Sequence, residues 1–202
     1  MKTINTGILG GTFDPIHHGH LAVAEVAAAT LGLDEVVFVP AGKPWLKTGR
    51  RISSAKDRLQ MVRLAITDKP RYRLSSIEVE RKGPSYSVDT VEEMKRQAAE
   101  ADELYFIIGW DSLTDLPRWY HPEYLISLCR LVAVPRPGHP MPDLDAIDVT
   151  VPGLQGRLIM LDKPRIEISA SVIRERVVKG LPISHLVPEA VERYIAEADL
   201  YR

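Results

Sequence analysis

The chain has 202 residues, 45% of them hydrophobic and 26% charged, which is enough apolar material for a sizeable core. Its 26 Lys and Arg stand against 27 Asp and Glu, so a net charge of -1 draws it neither to nucleic acid nor to an anionic membrane. A single cysteine, Cys129, excludes a disulfide framework and a thiolate zinc cluster, and every apolar run falls far short of the ~20 residues that cross a bilayer.

From the amino terminus, Met1 to Ile4 run straight into a strand-like segment, Ile4 to Leu9, which leaves no room for a signal peptide and points to the cytoplasm. Leu21, Ala24, Ala28 and Leu31 then form one apolar stripe at helical spacing. A second strand covers Glu35 to Val39. Ser54 to Asp57 has the pattern of a capping box, opening a helix whose stripe is Leu59, Val62 and Ile66. A third strand is expected from Tyr72 to Val79, and Asp89 to Glu92 open a helix that packs through Val91, Met94 and Ala98. Leu104 to Ile108 and Leu131 to Val134 are continuous apolar runs, as in strands buried on both faces. Pro135 to Gly156, rich in Pro and Gly, reads as a surface loop, and Arg157 to Leu161 as a last strand. Ser169 is a good N-cap for a helix running to about Lys179, where Gly180 and Pro182 supply the stop. Pro188 suits the first turn of a final helix carrying Val191, Tyr194, Ile195 and Ala198. This alternation predicts one α/β domain over residues 1–202, doubly wound, with a mainly parallel sheet and helices on both faces. Chemistry in such a fold belongs in the loops beyond the carboxyl ends of the strands.

The most informative of those loops is Gly10 to His20, between the first strand and the first helix. Gly10 and Gly11 permit close approach, and the amides of Gly11 to Phe13 can face an anion. The helix opens around His18 to His20, so its dipole points at whatever the loop holds. His17 and His20 stand at i, i+3 about Gly19, whose missing Cβ leaves room for a phosphate, and imidazole can donate a hydrogen bond or carry charge near neutral pH. The competing interpretations are a plain turn and a zinc-binding histidine cluster. The spacing lacks the His-Glu-x-x-His pattern and no cysteine or close carboxylate joins it.

His17-His18-Gly19-His20 resembles the signature of the His-x-Gly-His nucleotidyltransferase superfamily, and Ile168-Ser-Ala-Ser-Val-Ile-Arg174 resembles its second signature. Within that superfamily the chain is similar, over almost its whole length, to the bacterial nicotinate-nucleotide adenylyltransferases. The segments that carry this likeness are Pro40 to Lys47, Gly83 to Thr90, Phe106 to Ser112, Trp119-Tyr120 and Leu186 to Tyr194. Position 171 is Ser where that family more often has Thr, and the hydroxyl is retained.

The resemblance implies a Rossmann-like nucleotidyltransferase fold and transfer of AMP from ATP to nicotinate mononucleotide, giving deamido-NAD and pyrophosphate. It assigns catalysis to His17, His20 and Arg174, and ATP binding to Gly10, Gly11, Thr12, Phe13, Lys47, Gly109, Asp111, Ser169 and Ser171. Tyr86, Ser87, Trp119 and Tyr120 would receive the mononucleotide, with Trp119 stacked on the pyridine ring. Magnesium would arrive with ATP, held by phosphate oxygens and water, with no protein residue as its ligand. From the residues alone, Asp111 has a second reading as an N-cap, and Trp119 reads first as a lid on the core. Lys43, Lys47, Arg50 and Arg51 form a cationic stretch suited to a triphosphate or to plain solvation. His121, His139 and His185 have no supporting constellation, and Cys129 reads as inert packing. Alternatives are an adenylyltransferase for phosphopantetheine, a cytidylyltransferase, or a catalytically silent nucleotide sensor. The expected partners are small molecules rather than nucleic acid or membrane, and a homo-oligomer is compatible with the sequence.

Overall fold

A computed structural model describes residues 3–43 and 52–202. Its strands β1 (Asn5–Gly11), β2 (Glu35–Pro40), β3 (Tyr72–Leu74), β4 (Glu103–Gly109), β5 (Arg130–Val134) and β6 (Leu158–Met160) form one sheet. The order is β3-β2-β1-β4-β5-β6 and every pairing is parallel. The chain therefore winds outward from β1 to β3, returns, and winds the other way from β4. The switch lies between β1 and β4, paired from Asn5 opposite Glu103 to Leu9 opposite Ile107.

Strand periodicity sorts the side chains into two cores. Leu9, Ile107, Val132 and Val134 face one side, where they meet Leu21, Ala24 and Ala28 of α1 (His18–Leu31) and Met61 and Val62 of α2 (Ala55–Ile66). Ile8, Leu104, Phe106, Ile108, Leu131 and Ala133 face the other, in one core with Val88 and Val91 of α4 (Ser87–Gln97) and Leu125 and Ile126 of α6 (Pro122–Leu128). The helices α8 (Ala170–Val178) and α9 (Glu189–Glu197) join the first core through Ile173, Val191 and Ile195. Among the described residues no helix is long and apolar enough to cross a membrane.

Four sequence expectations are corrected. The third strand stops at Leu74 and does not reach Val79: Ile77–Glu80 form the one-turn helix α3. Ser75 and Ser76 divert the backbone, the Ser75 hydroxyl accepting from the Ile77 amide at 3.4 Å and the Ser76 hydroxyl donating to Glu80 at 2.5 Å. The segment Pro135 to Gly156 is not all loop, because Asp143 caps the helix α7 (Leu144–Thr150) by accepting from the Ala146 amide at 3.0 Å. Ile147, Val151 and Leu154 from this segment are buried in the second core. The α4 helix opens at Ser87, two residues before Asp89, and Pro188 is the N-cap of α9 rather than a residue of its first turn. At α2, Ser54 does cap the helix, accepting from the Asp57 amide at 3.1 Å.

Candidate active site

The residues after β1 form a crossover that is held from three distant directions. Arg58 of α2, only 2% exposed, donates from Nη1 to the Thr12 carbonyl at 2.9 Å and from Nε to the Ser53 carbonyl at 3.1 Å. Arg174 of α8 donates from Nη1 to the Asp14 carbonyl at 2.7 Å. Asp14 itself is buried; its Oδ1 accepts from the Tyr201 hydroxyl at 2.8 Å and its Oδ2 from the Ser53 amide at 3.3 Å. A buried carboxylate that takes up its acceptor capacity in this way is stabilised where an unpaired one would not be.

The left-handed backbone in this loop falls on Phe13 (φ +50°), not on the two glycines. That conformation costs a non-glycine residue about 1–3 kcal/mol, and complete burial of the ring opposes the cost. The Phe13 ring meets His20 edge-on at 4.9 Å and lies 5.9 Å from Phe38. Gly11 is needed for close approach, since a Cβ there would stand 3.0–3.3 Å from the Phe13 ring.

His17 is the N-cap residue of α1 and His20 lies in its first turn. Their rings stack at 3.7 Å and 21°. The His17 amide donates to Nδ1 of His20 at 3.3 Å, so a neutral His20 carries its proton on Nε2. His17 is buried, and its Nδ1 has no hydrogen-bond partner among the described residues. Burial, helped by the Arg136 and His18 charges, lowers its pKa from 6.5 to about 4, so the imidazole is neutral at pH 7. Gly19 lines the cleft, and its missing Cβ has a second use within the loop. A Cβ there would lie 3.0 Å from Nδ1 of His17 and 3.6 Å from Cβ of Ile168. Gly19 makes room for the His17 ring.

All the site residues expected from the sequence, Lys47 excepted, line one cleft of about 540 Å³ at the carboxyl ends of β1 and β4. His17, His20 and Arg174 share it with Gly10, Gly11, Thr12, Phe13, Gly109, Asp111, Ser169 and Ser171, and with Tyr86, Ser87, Trp119 and Tyr120. Lys47, Arg50 and Arg51 lie outside the described residues. Lys43 is described, and its amide donates to the Ser85 hydroxyl at 3.1 Å.

Two helix N-termini open on this cleft. One is that of α1; the other is that of α8, where the Ser169 hydroxyl accepts from the Val172 amide at 3.3 Å. Asp111 is not an N-cap: Gly109 holds that place in α5 (Trp110–Thr114), and Asp111 pairs with Arg136. A Cβ on Gly109 would come within 2.5 Å of Asp111 Oδ1, so the glycine admits that carboxylate. At the far end Tyr86 and Tyr120 stack at 4.4 Å, and Trp119 stands edge-on to Phe106 at 6.2 Å. Trp119 both lines the cleft and packs on the second core, and its Nε1 is buried with no partner among the described residues.

Sequence reasoning missed the supports of this site. Glu78 is 7% exposed and accepts from the Thr90 hydroxyl at 2.8 Å; Arg81 in turn donates to Thr90 at 3.1 Å and pairs with Glu93 at 3.2 Å. Burial pushes the Glu78 carboxyl up, against the lowering effect of the Thr90 and Ser85 hydrogen bonds. Ser85 accepts from the Gly42 amide at 2.9 Å, and a Cβ on Gly42 would fall 2.0 Å from the Glu78 carbonyl oxygen. Asp14, Arg58, Arg136 and Tyr201 were likewise passed over. Asp14 lies inside the Gly10 to His20 loop and could have been singled out; the partners that hold it leave no local trace.

Cys129 is buried and its thiol is pushed up to about 12, mainly by burial, which suits packing. Among the described residues no group of three or more His, Cys, Asp or Glu could hold a metal ion. The cleft offers imidazole, hydroxyl, guanidinium and helix amides, a donor set that suits phosphate groups.

Residues 8–176 match the family described as Cytidylyltransferase-like. A protein of Dehalococcoides mccartyi named "Probable nicotinate-nucleotide adenylyltransferase" is 53% identical over 201 residues, spanning 100% of this chain and 98% of that relative. A Roseiflexus protein of the same name is 46% identical over 202 residues and 100% of both chains. In three dimensions the fold is that of the Plasmodium falciparum nicotinic acid mononucleotide adenylyltransferase complexed with NaAD. The TM-score is 0.80 at 20% identity, over 98% of this chain and 97% of that one. With the two signature segments joined in one cleft and relatives matching end to end, the chain belongs to the nicotinate-nucleotide adenylyltransferase family, within the cytidylyltransferase-like group.

Proposed function

We propose that this protein transfers the AMP unit of ATP to nicotinate mononucleotide, producing nicotinate adenine dinucleotide (deamido-NAD) and pyrophosphate, a step of NAD biosynthesis. The observation that carries the proposal is the junction of the two signatures: Arg174 Nη1 reaches the Asp14 carbonyl at 2.7 Å from 160 residues away. Together they surround a single cleft with a phosphate-suited end and an aromatic end.

A phosphate oxygen of the mononucleotide attacks the α-phosphorus of ATP in line; the bond to the β-phosphate oxygen breaks, and pyrophosphate leaves with that electron pair. The nucleophile is anionic at neutral pH, so no strong base is required. The protein's work is to bring two polyanions together and to stabilise charge that moves onto the leaving group. His20, with its proton on Nε2, donates to the phosphates at the transferring centre. His17, neutral at pH 7, contributes a hydrogen bond rather than a charge. Ser171 and Arg174 hold the β- and γ-phosphates at the α8 terminus, with Ser169 as its cap. Gly10, Gly11, Thr12 and Phe13 pass along the nucleotide by their backbone, and Gly109 and Asp111 meet the adenosine portion. Lys47 adds charge on the ATP side. Trp119 stacks on the pyridine ring, with Tyr86, Ser87 and Tyr120 around it.

Magnesium fits as a companion of ATP rather than as a resident of the protein. Of the carboxylates that line the cleft, Asp14 is engaged by Tyr201 and Ser53 and Glu78 by Thr90, while Asp111 is engaged by Arg136 at Oδ2 only, its buried Oδ1 having no partner among the described residues. A hard cation bound by phosphate oxygens and water lowers the charge on the triphosphate and on the departing pyrophosphate. Such a reaction on small phosphates suits a cytoplasmic enzyme acting as one domain. Pyrophosphate release should be measured with ATP against nicotinate mononucleotide, nicotinamide mononucleotide and phosphopantetheine. Release with the first supports the proposal, release with phosphopantetheine alone overturns the acceptor, and release with none favours a nucleotide sensor.

A further inference from the structure

We infer that Tyr201 and Asp14 form a clamp that positions the ATP-side loop, with Tyr201 acting on the reaction through Asp14 rather than by touching substrate. The inference rests on the function proposed above. Tyr201 lies beyond α9, 187 residues from Asp14, and its hydroxyl donates to Asp14 Oδ1 at 2.8 Å. Asp14 is 4% exposed and stands between the phosphate-facing Gly10 to Phe13 run and His17. Its carbonyl is the acceptor for Arg174, and its Oδ2 is the acceptor for the Ser53 amide. One residue thus joins the β1 loop, the α8 signature, the segment entering α2 and the chain end.

The carbonyl of Thr12, two residues earlier, is gripped by Arg58, which also bonds Ser53. With both Thr12 and Asp14 tied, rotation of the loop backbone is limited on each side of Phe13, the residue with φ +50°. The bond is not needed merely to fill space, because Tyr201 packs on the first core through its ring. The hydroxyl is the part with a directed partner. Burial and the Asp14 carboxylate both push its pKa up, so it remains a proton donor at every pH at which the protein works. Loss of the hydroxyl would free one carboxylate oxygen of Asp14 and slacken the loop that presents amides to the triphosphate, while the aromatic end around Trp119 would be untouched. The consequence falls on one substrate only.

Tyr201→Phe keeps the ring and removes the hydroxyl, so it should fold. The measurements are affinity for a non-hydrolysable ATP analogue by calorimetry, KM for each substrate, and the melting temperature, on the full chain. The expected result is an analogue affinity and a KM for ATP that are weakened about three- to ten-fold, with KM for nicotinate mononucleotide within two-fold of wild type. Asp14→Asn should weaken ATP as well, and the double variant should be no worse than the worse single one, as for residues that act through each other. Unchanged ATP affinity with a lowered melting temperature would reduce Tyr201 to packing and overturn the clamp. Equal rises in both KM values, or fully additive effects in the double variant, would do the same. If wild type binds the analogue but turns over no mononucleotide, the proposed function fails and the analogue affinities alone decide the clamp. If wild type does not bind the analogue, both fall.

Discussion

Acidification should weaken the native state through His17, by an amount that the burial of its ring sets. The imidazole titrates near 6.5 in an unfolded chain and near 4 in the folded one, chiefly because burial disfavours the cation. Above pH 6.5 both states are neutral at this position and the group contributes nothing to the pH dependence. Between 6.5 and 4 the unfolded state binds a proton that the native state does not, so stability falls as pH falls. At about 1.4 kcal/mol per pH unit, the loss between pH 6.5 and 5 is about 2 kcal/mol, and the full loss by pH 4 is roughly 3 kcal/mol. Carboxylates also titrate in this range, so wild type must be compared with His17→Gln, in which only the imidazole is lost. Urea unfolding of both proteins at pH 7.5, 6.5, 5.5 and 5.0 supplies the two stability curves. The wild-type advantage over His17→Gln should be constant from pH 7.5 to 6.5 and then shrink by about 1.4 kcal/mol per unit. A difference that stays flat down to pH 5 would mean that the folded imidazole accepts a proton as readily as the unfolded one. The lowering of the His17 pKa by burial would then be wrong.

Three further outcomes are expected. His20→Ala should lose ~10² or more in kcat while its melting temperature stays near wild type, as for removal of a donor aimed at developing charge; turnover close to wild type would remove His20 from the transferring centre. Trp119→Ala should raise KM for nicotinate mononucleotide more than KM for ATP, and equal effects on both would leave Trp119 as packing only. Arg58→Met should destabilise by about 2–4 kcal/mol, because two carbonyls lose a charged donor, and should lower the melting temperature by roughly 5–15 °C. A shift under about 1 °C would show that water replaces the guanidinium at no cost.

Much of the site was legible because its signals are local. Gly10 to His20 and Ile168 to Arg174 declare themselves by residue type at short spacing, and their neighbouring strands by continuous apolar runs. The supports were not legible. Nothing near Tyr201 indicates that its hydroxyl reaches Asp14, and nothing near Arg58 distinguishes it from the exposed arginines on other helices. Helix α7 was the reverse case: Asp143 and the spacing of Leu144, Ile147, Val151 and Leu154 were present, but Pro and Gly in the same segment obscured them.

By itself the sequence determined the alternation of strands and helices, hence a parallel sheet, and the residue types available to hold phosphate. Those properties depend on contacts between residues a few positions apart, which periodicity and capping record directly. Only the tertiary structure decided that Gly19 serves the His17 ring, that Phe13 carries the left-handed turn, and that the third strand ends at Leu74. It alone also decided that His17 is neutral and that Asp14 is the joint between distant segments. For His17 and Asp14 the reason is the same. Burial, and hydrogen bonds across 100 residues or more, arise when elements pack, and no local spacing encodes which side chain will meet which.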